Sequence, residues 1–291
     1  MKRLAMIGTH LIHTYPYGAW FNGCDQALFE QNAKPWMVKI YEGEPAERHS
    51  DAVRLTHVWG GERDEAEKLA AACLIPHVAD RPDEMADAVD GAMVMDENIE
   101  ERAPLMRPYL EAGKAVFVDK ILSLDPAVTR ELLDTAQRTG ARLAAWSQLR
   151  FAPGFEPIRE LGRGGIALAT FRLPLDKLPA YGIHLVSAVH GLLGAGATAE
   201  RLADGPAGPQ LLLSYPDGTR ALLYIAPDAP PQWNLYYAAP KGAVHATTGS
   251  SRVMFERSAA AIESMLVEGA QPVAPAEIAE ATALVRLLCQ P

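Results

Sequence analysis

The turn after the first apolar run gathers polar, chemistry-bearing residues most densely. It reads Ile7-Gly8-Thr9-His10-Leu11-Ile12-His13-Thr14-Tyr15-Pro16-Tyr17-Gly18. A strand, a glycine-rich turn and a helix N-terminus together cradle a dinucleotide pyrophosphate, with the pattern G-x-G-x-x-G. Only Gly8 is in place; the next glycines are Gly18 and Gly23. Two readings stand. The turn keeps the helix dipole and lets Thr9, His10 and Thr14 donate to phosphate, or the domain has lost tight dinucleotide binding. An acid is also expected where the second strand ends, to bond the ribose hydroxyls. Trp59-Gly60-Gly61-Glu62-Arg63 stands there. Glu62 can serve as that acid, and Arg63 can instead meet a 2′-phosphate and favour NADP. Both are equally readable as surface residues of a helix's first turn.

The closest histidine pairs are His10-x-x-His13 and His184 with His190. Neither has the H-E-x-x-H spacing, and no third or fourth ligand falls in register, so no metal is expected. Asp96 and Glu97 are the only obvious acidic contributors. Three scattered cysteines, Cys24, Cys73 and Cys289, make neither a disulfide framework nor a zinc cluster. They imply a reducing compartment, the cytoplasm, with Cys24 and Cys73 on apolar helix faces.

The elements that position these residues alternate in type. Strands are expected at Leu4–Ile7, Val53–Trp59, Pro76–Val78, Ala92–Met95, Ala115–Val118 and Leu143–Trp146. Helices are expected between them at Gly18–Gln31, Glu62–Cys73, Glu101–Ala112 and Pro126–Thr139. This alternation implies βαβ units and a doubly wound parallel sheet over residues 1–150, a Rossmann-like dinucleotide-binding domain. Residues 151–291 change character. A strand at Ala167–Leu173 and a helix at Tyr181–Leu193 precede strands at Leu211–Tyr215, Thr219–Ile225, Trp233–Ala238 and Ala243–Thr247. Pro216-Asp217-Gly218-Thr219 reads as a hairpin turn. Helices at Ser258–Glu268 and Ala276–Cys289 close the chain, and 194–209 reads as a surface loop. The fold class is therefore α/β, with a C-terminal α+β domain on a mainly antiparallel open sheet, for substrate and dimerisation.

Of 291 residues, 49% are hydrophobic, and 27 basic against 36 acidic side chains give a net charge of −9. Neither half is basic, which argues against nucleic acid and anionic membranes as partners. No stretch approaches the ~18 apolar residues of a membrane span. The apolar run at the start ends at Gly8, too short for a signal peptide.

Glu111-Ala112-Gly113-Lys114-Ala115-Val116-Phe117-Val118-Asp119-Lys120-Ile121 resembles the EAGKHVFVEKP segment of the Gfo/Idh/MocA family, which includes glucose-fructose oxidoreductase and inositol dehydrogenase. Asp90-Gly91-Ala92-Met93-Val94-Met95-Asp96-Glu97-Asn98 resembles that family's D-A-V-V-I-A-T-P-N. Gln148-Leu149-Arg150-Phe151-Ala152-Pro153 resembles its N-x-R-F-x-P exit, and Tyr181-Gly182-Ile183-His184 its D-x-G-x-H. Gly194 matches the glycine that often ends the following helix. The likeness covers most of residues 53–194. The sequence departs at Ile121 for the proline, Asp96-Glu97 for Thr-Pro, Ala180 and Ser187 for two aspartates, and the missing glycines.

The resemblance implies that Lys120 and His184 face the substrate carbinol, and that Asn98 lies near the nicotinamide ribose or amide. The chemistry is sound: a histidine accepts the hydroxyl proton as hydride leaves, and a nearby cation stabilises the alkoxide. Lysine is scarce, 8 against 19 arginines, and Lys120 ends an apolar strand where desolvation lowers its pKa. Asp119 can oppose that shift. Each has a plainer reading: a strand-end ion pair for Lys120, a hydrogen-bonded interdomain histidine for His184, a helix N-cap for Asn98. Gln148 and Arg150 can reach a polar substrate, or Arg150 can be structural. Trp20, Trp59, Trp146, Tyr15, Tyr17 and Tyr181 can line an aromatic pocket or fill the core.

The favoured expectation is an NAD- or NADP-dependent oxidoreductase acting on a sugar, cyclitol or related compound, working as a homo-oligomer through its C-terminal sheet. The alternatives are a redox-neutral lyase or isomerase using the same cleft, or a non-catalytic sensor.

Overall fold

The computed structural model describes every residue except His10, 42–49, 206–207, 228–232 and Pro291; the side chains of 40, 41 and 203–205 also lie outside the description. Two compact units make up the chain. The first holds Met1–Ser123, Ala127–Ala145 and Phe255–Ala274; the second holds Leu124–Pro126, Trp146–Met254 and Pro275–Pro291.

The first unit runs β1 (Lys2–Ile7), α1 (Thr14–Asn22), α2 (Gln26–Asn32), α3 (Pro35–Tyr41), β2 (Val53–Trp59), α4 (Arg63–Ala72) and β3 (His77–Val78). It continues with β4 (Gly91–Val94), α5 (Arg102–Glu111), β5 (Ala115–Asp119), α6 (Pro126–Thr139) and β6 (Leu143–Trp146). The strands form one parallel sheet in the order β3-β2-β1-β4-β5-β6. Every residue of β4 and all but the first of β5 are buried, as expected for strands covered on both faces. Winding reverses between β1 and β4, so the crevice that binds ligands in such sheets opens at the C-terminal ends of those two strands.

The first βα turn corrects the sequence reading. The helix expected at Gly18–Gln31 is two helices, and the first begins at Thr14. Pro16 sits in its opening turn, where no N–H is needed. Gly23 ends it at φ +77°, and Asp25 restarts the chain by accepting from Leu28 N at 3.0 Å. The turn proper is therefore only Gly8–His13, with Tyr15 and Tyr17 inside the helix. Gly18 is a packing glycine: a Cβ there would lie 2.6 Å from Cys73 Sγ. The helix α3 was not foreseen.

The chain returns to this unit late. A helix, α10 (Ser251–Val267), starts seven residues before the expected Ser258. Its Ser258 hydroxyl meets Tyr17 Oη at 2.6 Å. Beyond it, Gln271 Nε2 donates to Leu143 O at 2.8 Å and Arg142 Nε to Gly269 O. Such long-range pairing leaves no periodic trace in the sequence.

The second unit holds a 3-10 turn (Gln148–Phe151), α7 (Glu156–Leu161), β7 (Ile166–Phe171), α8 (Leu178–Tyr181) and α9 (Ile183–Leu193). Then come β8 (Thr198–Gly205), β9 (Gly208–Ser214), β10 (Arg220–Ile225), β11 (Asn234–Ala239), β12 (Gly242–Thr247) and, after α10, α11 (Pro275–Leu288). Its sheet runs β12-β11-β7-β10-β9-β8 and is antiparallel except where β10 meets β7. The surface loop expected at 194–209 contains β8, an edge strand. Edge strands carry little apolar alternation, which is why composition hid it. The expected hairpin turn is present, with Gly218 at φ +84° and Tyr215 N bonded to Thr219 O at 2.9 Å. No helix among the described residues is long and apolar enough to cross a membrane.

Candidate active site

At the crevice of the first unit, Gly8 has φ +94°, and a Cβ on it would lie 2.8 Å from Asp96 N. This glycine lets the β1 and β4 exits touch. Thr9 follows, its Oγ1 buried without a hydrogen-bond partner among the described residues. It lies over Gly60, where a Cβ would come within 2.5 Å of that oxygen. Thr14 is not available in the same way: its hydroxyl is buried and donates to Leu11 O at 3.0 Å. His10 lies outside the described residues.

At the β2 exit, Glu62 is the exposed N-cap of α4 and makes no capping bond with its side chain. Arg63 is committed to Glu67, at 2.8 Å, and to Asp80. Asn98, after β4, is exposed and folds a local turn: its N–H donates to Asp96 Oδ1 at 2.7 Å and its Oδ1 accepts from Glu100 N at 3.1 Å. It precedes α5 by several residues, so it caps this turn rather than the helix itself.

The β5 exit carries the most confined charges. Asp119 is 0% exposed and Lys120 3%. Lys120 holds φ +80°, a left-handed backbone uncommon outside glycine. Burial lowers its pKa; Asp119 opposes that, Arg102 adds to it, and Glu97 opposes it. Arg102, 2% exposed, donates through Nε to Asp96 O at 2.9 Å and through Nη1 to Ile121 O. It thus ties the β4 exit to the β5 exit. His13, at the N-cap of α1, brings Nδ1 within 2.6 Å of Asp119 Oδ2. The rings of Phe255 and Trp36 stand edge-on to it, with centroids 5.1 and 6.4 Å away. Sequence reasoning missed this pair. The available signal was spacing: His13 occupies the third glycine position of the pattern that begins at Gly8.

In the second unit, His184 is buried in the first turn of α9. Its Nδ1 lies 2.5 Å from Ser147 Oγ, and Ser147 N bonds Ser187 Oγ at 3.2 Å. The Tyr181 ring lies 5.4 Å from the His184 ring and that of Trp233 5.3 Å, with Trp233 stacked on Phe171. Ser147, Trp233 and Phe171 escaped the sequence reading. Gln148 is buried in the 3-10 turn. Arg150 pairs with Glu277 of α11, and Gly191 is tight against its backbone. His190 lies 3.6 Å from Glu277 and 3.3 Å from Glu280, an internal polar cluster rather than a ligand pair for His184. The other aromatic candidates fall elsewhere. Tyr15 packs on Phe29, Tyr17 on Phe117 and Phe255, and Trp146 on Phe151.

Thr9 supplies the observation that fits a dinucleotide: an unsatisfied buried hydroxyl at the switch point, beside the glycine that closes the β1 exit. A buried hydroxyl without a partner is costly, and a phosphate oxygen would satisfy it.

The fold, with this turn at its switch point, defines a Rossmann-type nucleotide-dependent enzyme. Residues 2–146 match the model of the oxidoreductase family with an NAD-binding Rossmann fold. The chain belongs to that family on the strength of this N-terminal half, and its class is that of NAD-dependent dehydrogenases and oxidoreductases. Solved structures share the whole fold. Scyllo-inositol dehydrogenase from Lactobacillus casei aligns at TM-score 0.74 and 12% identity, over 99% of this chain and 95% of that one. Myo-inositol dehydrogenase from Corynebacterium glutamicum aligns at 0.71 and 13%, over 98% and 94%. An oxidoreductase from Agrobacterium radiobacter, solved with NAD+, L-tartaric acid and magnesium, aligns at 0.69 and 12%, over 98% and 94%. No curated protein matches by sequence. Among the described residues, no three His, Cys, Asp or Glu side chains converge as a metal-ligand set.

Proposed function

We propose that the protein oxidises a secondary alcohol of a cyclitol, sugar or related hydroxylated small molecule, with Lys120 and His184 serving the reacting hydroxyl. The observation that carries this reading is Lys120 itself. It is a buried lysine at a strand's C-terminal end, in left-handed backbone, beside a fully buried carboxylate. The inositol dehydrogenases among the structural neighbours support the substrate class.

Bound NAD supplies the hydride acceptor. Thr9 would hold its phosphates, Glu62 its ribose hydroxyls, and Asn98 its amide end. Arg63 is already neutralised by Glu67 and Asp80, whereas Glu62 stands exposed at the strand exit. That pattern supports NAD over NADP. His184, held at Nδ1 by Ser147, takes the hydroxyl proton at Nε2. The Lys120 ammonium stabilises the developing alkoxide in a dry strand end, where such a charge acts strongly. Trp233 and Tyr181 flank His184 with apolar ring surface suited to the C–H face of a cyclic polyol. Three free thiols suit a reducing cytoplasm. The exposed face of the second sheet, with Ile166 at 62% and Tyr236 at 45% exposure, suits a second copy of the chain.

One observation favours a redox-neutral lyase or isomerase instead. His13 fills the third glycine position and is packed under Trp36 and Phe255. The test is turnover of Lys120→Ala and His184→Ala with NAD and a panel of cyclitols and aldoses. Loss in both, with the fold intact, supports the oxidoreductase. Undiminished activity in both sinks the reading, and activity independent of any nicotinamide transfers it to the redox-neutral class.

A further inference from the structure

The His13–Asp119 pair does more than fill a space. Asp119 is fully buried at the end of β5, and a bare carboxylate there would protonate rather than stay charged. His13 Nδ1 lies 2.6 Å from its Oδ2, and an imidazole N–H donated there holds such a group ionised. Asp119 is also the chain neighbour of Lys120, and its charge acts on that amine.

We propose that His13 is a positioning residue for Lys120: it holds the buried Asp119 carboxylate as an anion, and that anion keeps the Lys120 side chain an ammonium. The inference rests on the proposed role of Lys120. It adds a residue from the first βα turn, where the family pattern has glycine, to the group that sets the charge of the site.

The surroundings support this assignment. From α3 and α10, the uncharged rings of Trp36 and Phe255 stand edge-on to His13. The charged groups acting on Lys120 are Asp119 on β5, Arg102 on α5 and Glu97 after β4. Arg102 pushes Lys120 toward the neutral amine, as burial does. Its guanidinium is spent on the carbonyls of Asp96 and Ile121. Asp119 is thus a counterweight adjacent to Lys120 in the chain, and His13 is a side chain in contact with it at 2.6 Å. Loss of the His13 bond and loss of the Asp119 charge should therefore act in the same direction.

The experiment reads Lys120 directly. Only 8 lysines are present, so lysine labelled with carbon-13 at Cε gives few resonances. Lys120 is assigned by its absence in Lys120→Met and titrated by NMR in the full chain. Asp119→Asn and His13→Leu should each lower its titration midpoint by about one pH unit, a tenfold change in protonation. His13→Asn places an amide donor near the position of Nδ1 and should keep the wild-type midpoint. Circular dichroism checks each fold; if Asp119→Asn does not fold, the Leu and Asn variants of His13 decide alone. A midpoint unmoved in His13→Leu, or moved equally in His13→Leu and His13→Asn, overturns the proposal, because packing alone would favour the leucine. Turnover of Lys120→Ala judges the functional reading separately: full activity there would remove the role of Lys120 but leave the titration result standing.

Discussion

His13 and Asp119 join the first and fifth strands of the parallel sheet across β4. One side chain opens α1 and the other ends β5, and their 2.6 Å contact is buried. In a glycine-lined turn nothing could reach from the first position to the second. Here an imidazole does, and it ends on Asp119, the residue before Lys120. The first βα turn therefore reaches the buried carboxylate at the β5 exit.

Lys120 should give the enzyme an early alkaline limit. The role proposed for it needs the ammonium, so activity should be present below its folded pKa and lost as pH rises through it. Burial lowers that pKa below the ordinary lysine range. The fall in kcat should therefore begin below the ordinary lysine range. Lys120→Ala should lose about 10²- to 10⁴-fold in kcat and lose this limb. A pH–rate profile of both proteins checks it.

Ser147 should matter through His184. Ser147→Ala removes the hydroxyl 2.5 Å from Nδ1 and frees the ring to turn. We expect kcat to fall roughly fivefold, at the scale of one hydrogen bond of about 1 kcal/mol, with a smaller change in KM. His184→Gln should fall much further. Steady-state kinetics on the two variants decides; equal KM and kcat effects in Ser147→Ala would point to general damage instead.

Arg150 was readable in the sequence as a substrate contact or a structural clamp. Its side chain is 17% exposed and that of its partner Glu277 11%. Arg150→Met should leave Glu277 poorly compensated and cost about 3–5 kcal/mol. Denaturant unfolding of the variant measures this.

Much of the fold was legible because burial imposes period. Pro126–Thr139 and Leu143–Trp146 have the same limits in sequence and structure. The illegible parts have physical reasons. The helix α1 is buried on nearly every face, so no apolar stripe marks its start at Thr14, four residues before the expected Gly18. The edge strand β8 needs no apolar stripe. Phe255–Ala274 joins the first unit through contacts far apart in sequence. For the site, Lys120 stood out by type and by the segment around it. Ser147, Trp233 and His13 meet partners that only the fold brings near.

Exposed apolar residues on the second sheet should hold two copies together. Ile166 and Tyr236 line a groove of about 500 Å³ with Leu168, Val244 and His245. Ile166→Glu with Tyr236→Glu should shift the protein toward the monomer in light scattering. An unchanged mass would remove this face from the interface.

The altered first turn should still bind a dinucleotide and prefer NAD. Calorimetric titration of the purified protein with NAD+ and NADP+, after any copurified nucleotide is removed, tests it most directly. Micromolar binding of NAD+, clearly tighter than NADP+ and weakened in Glu62→Ala but not in Arg63→Ala, is the predicted result. No binding of either up to millimolar concentration would contradict the account and move the chemistry of Lys120 and His184 to a redox-neutral reaction.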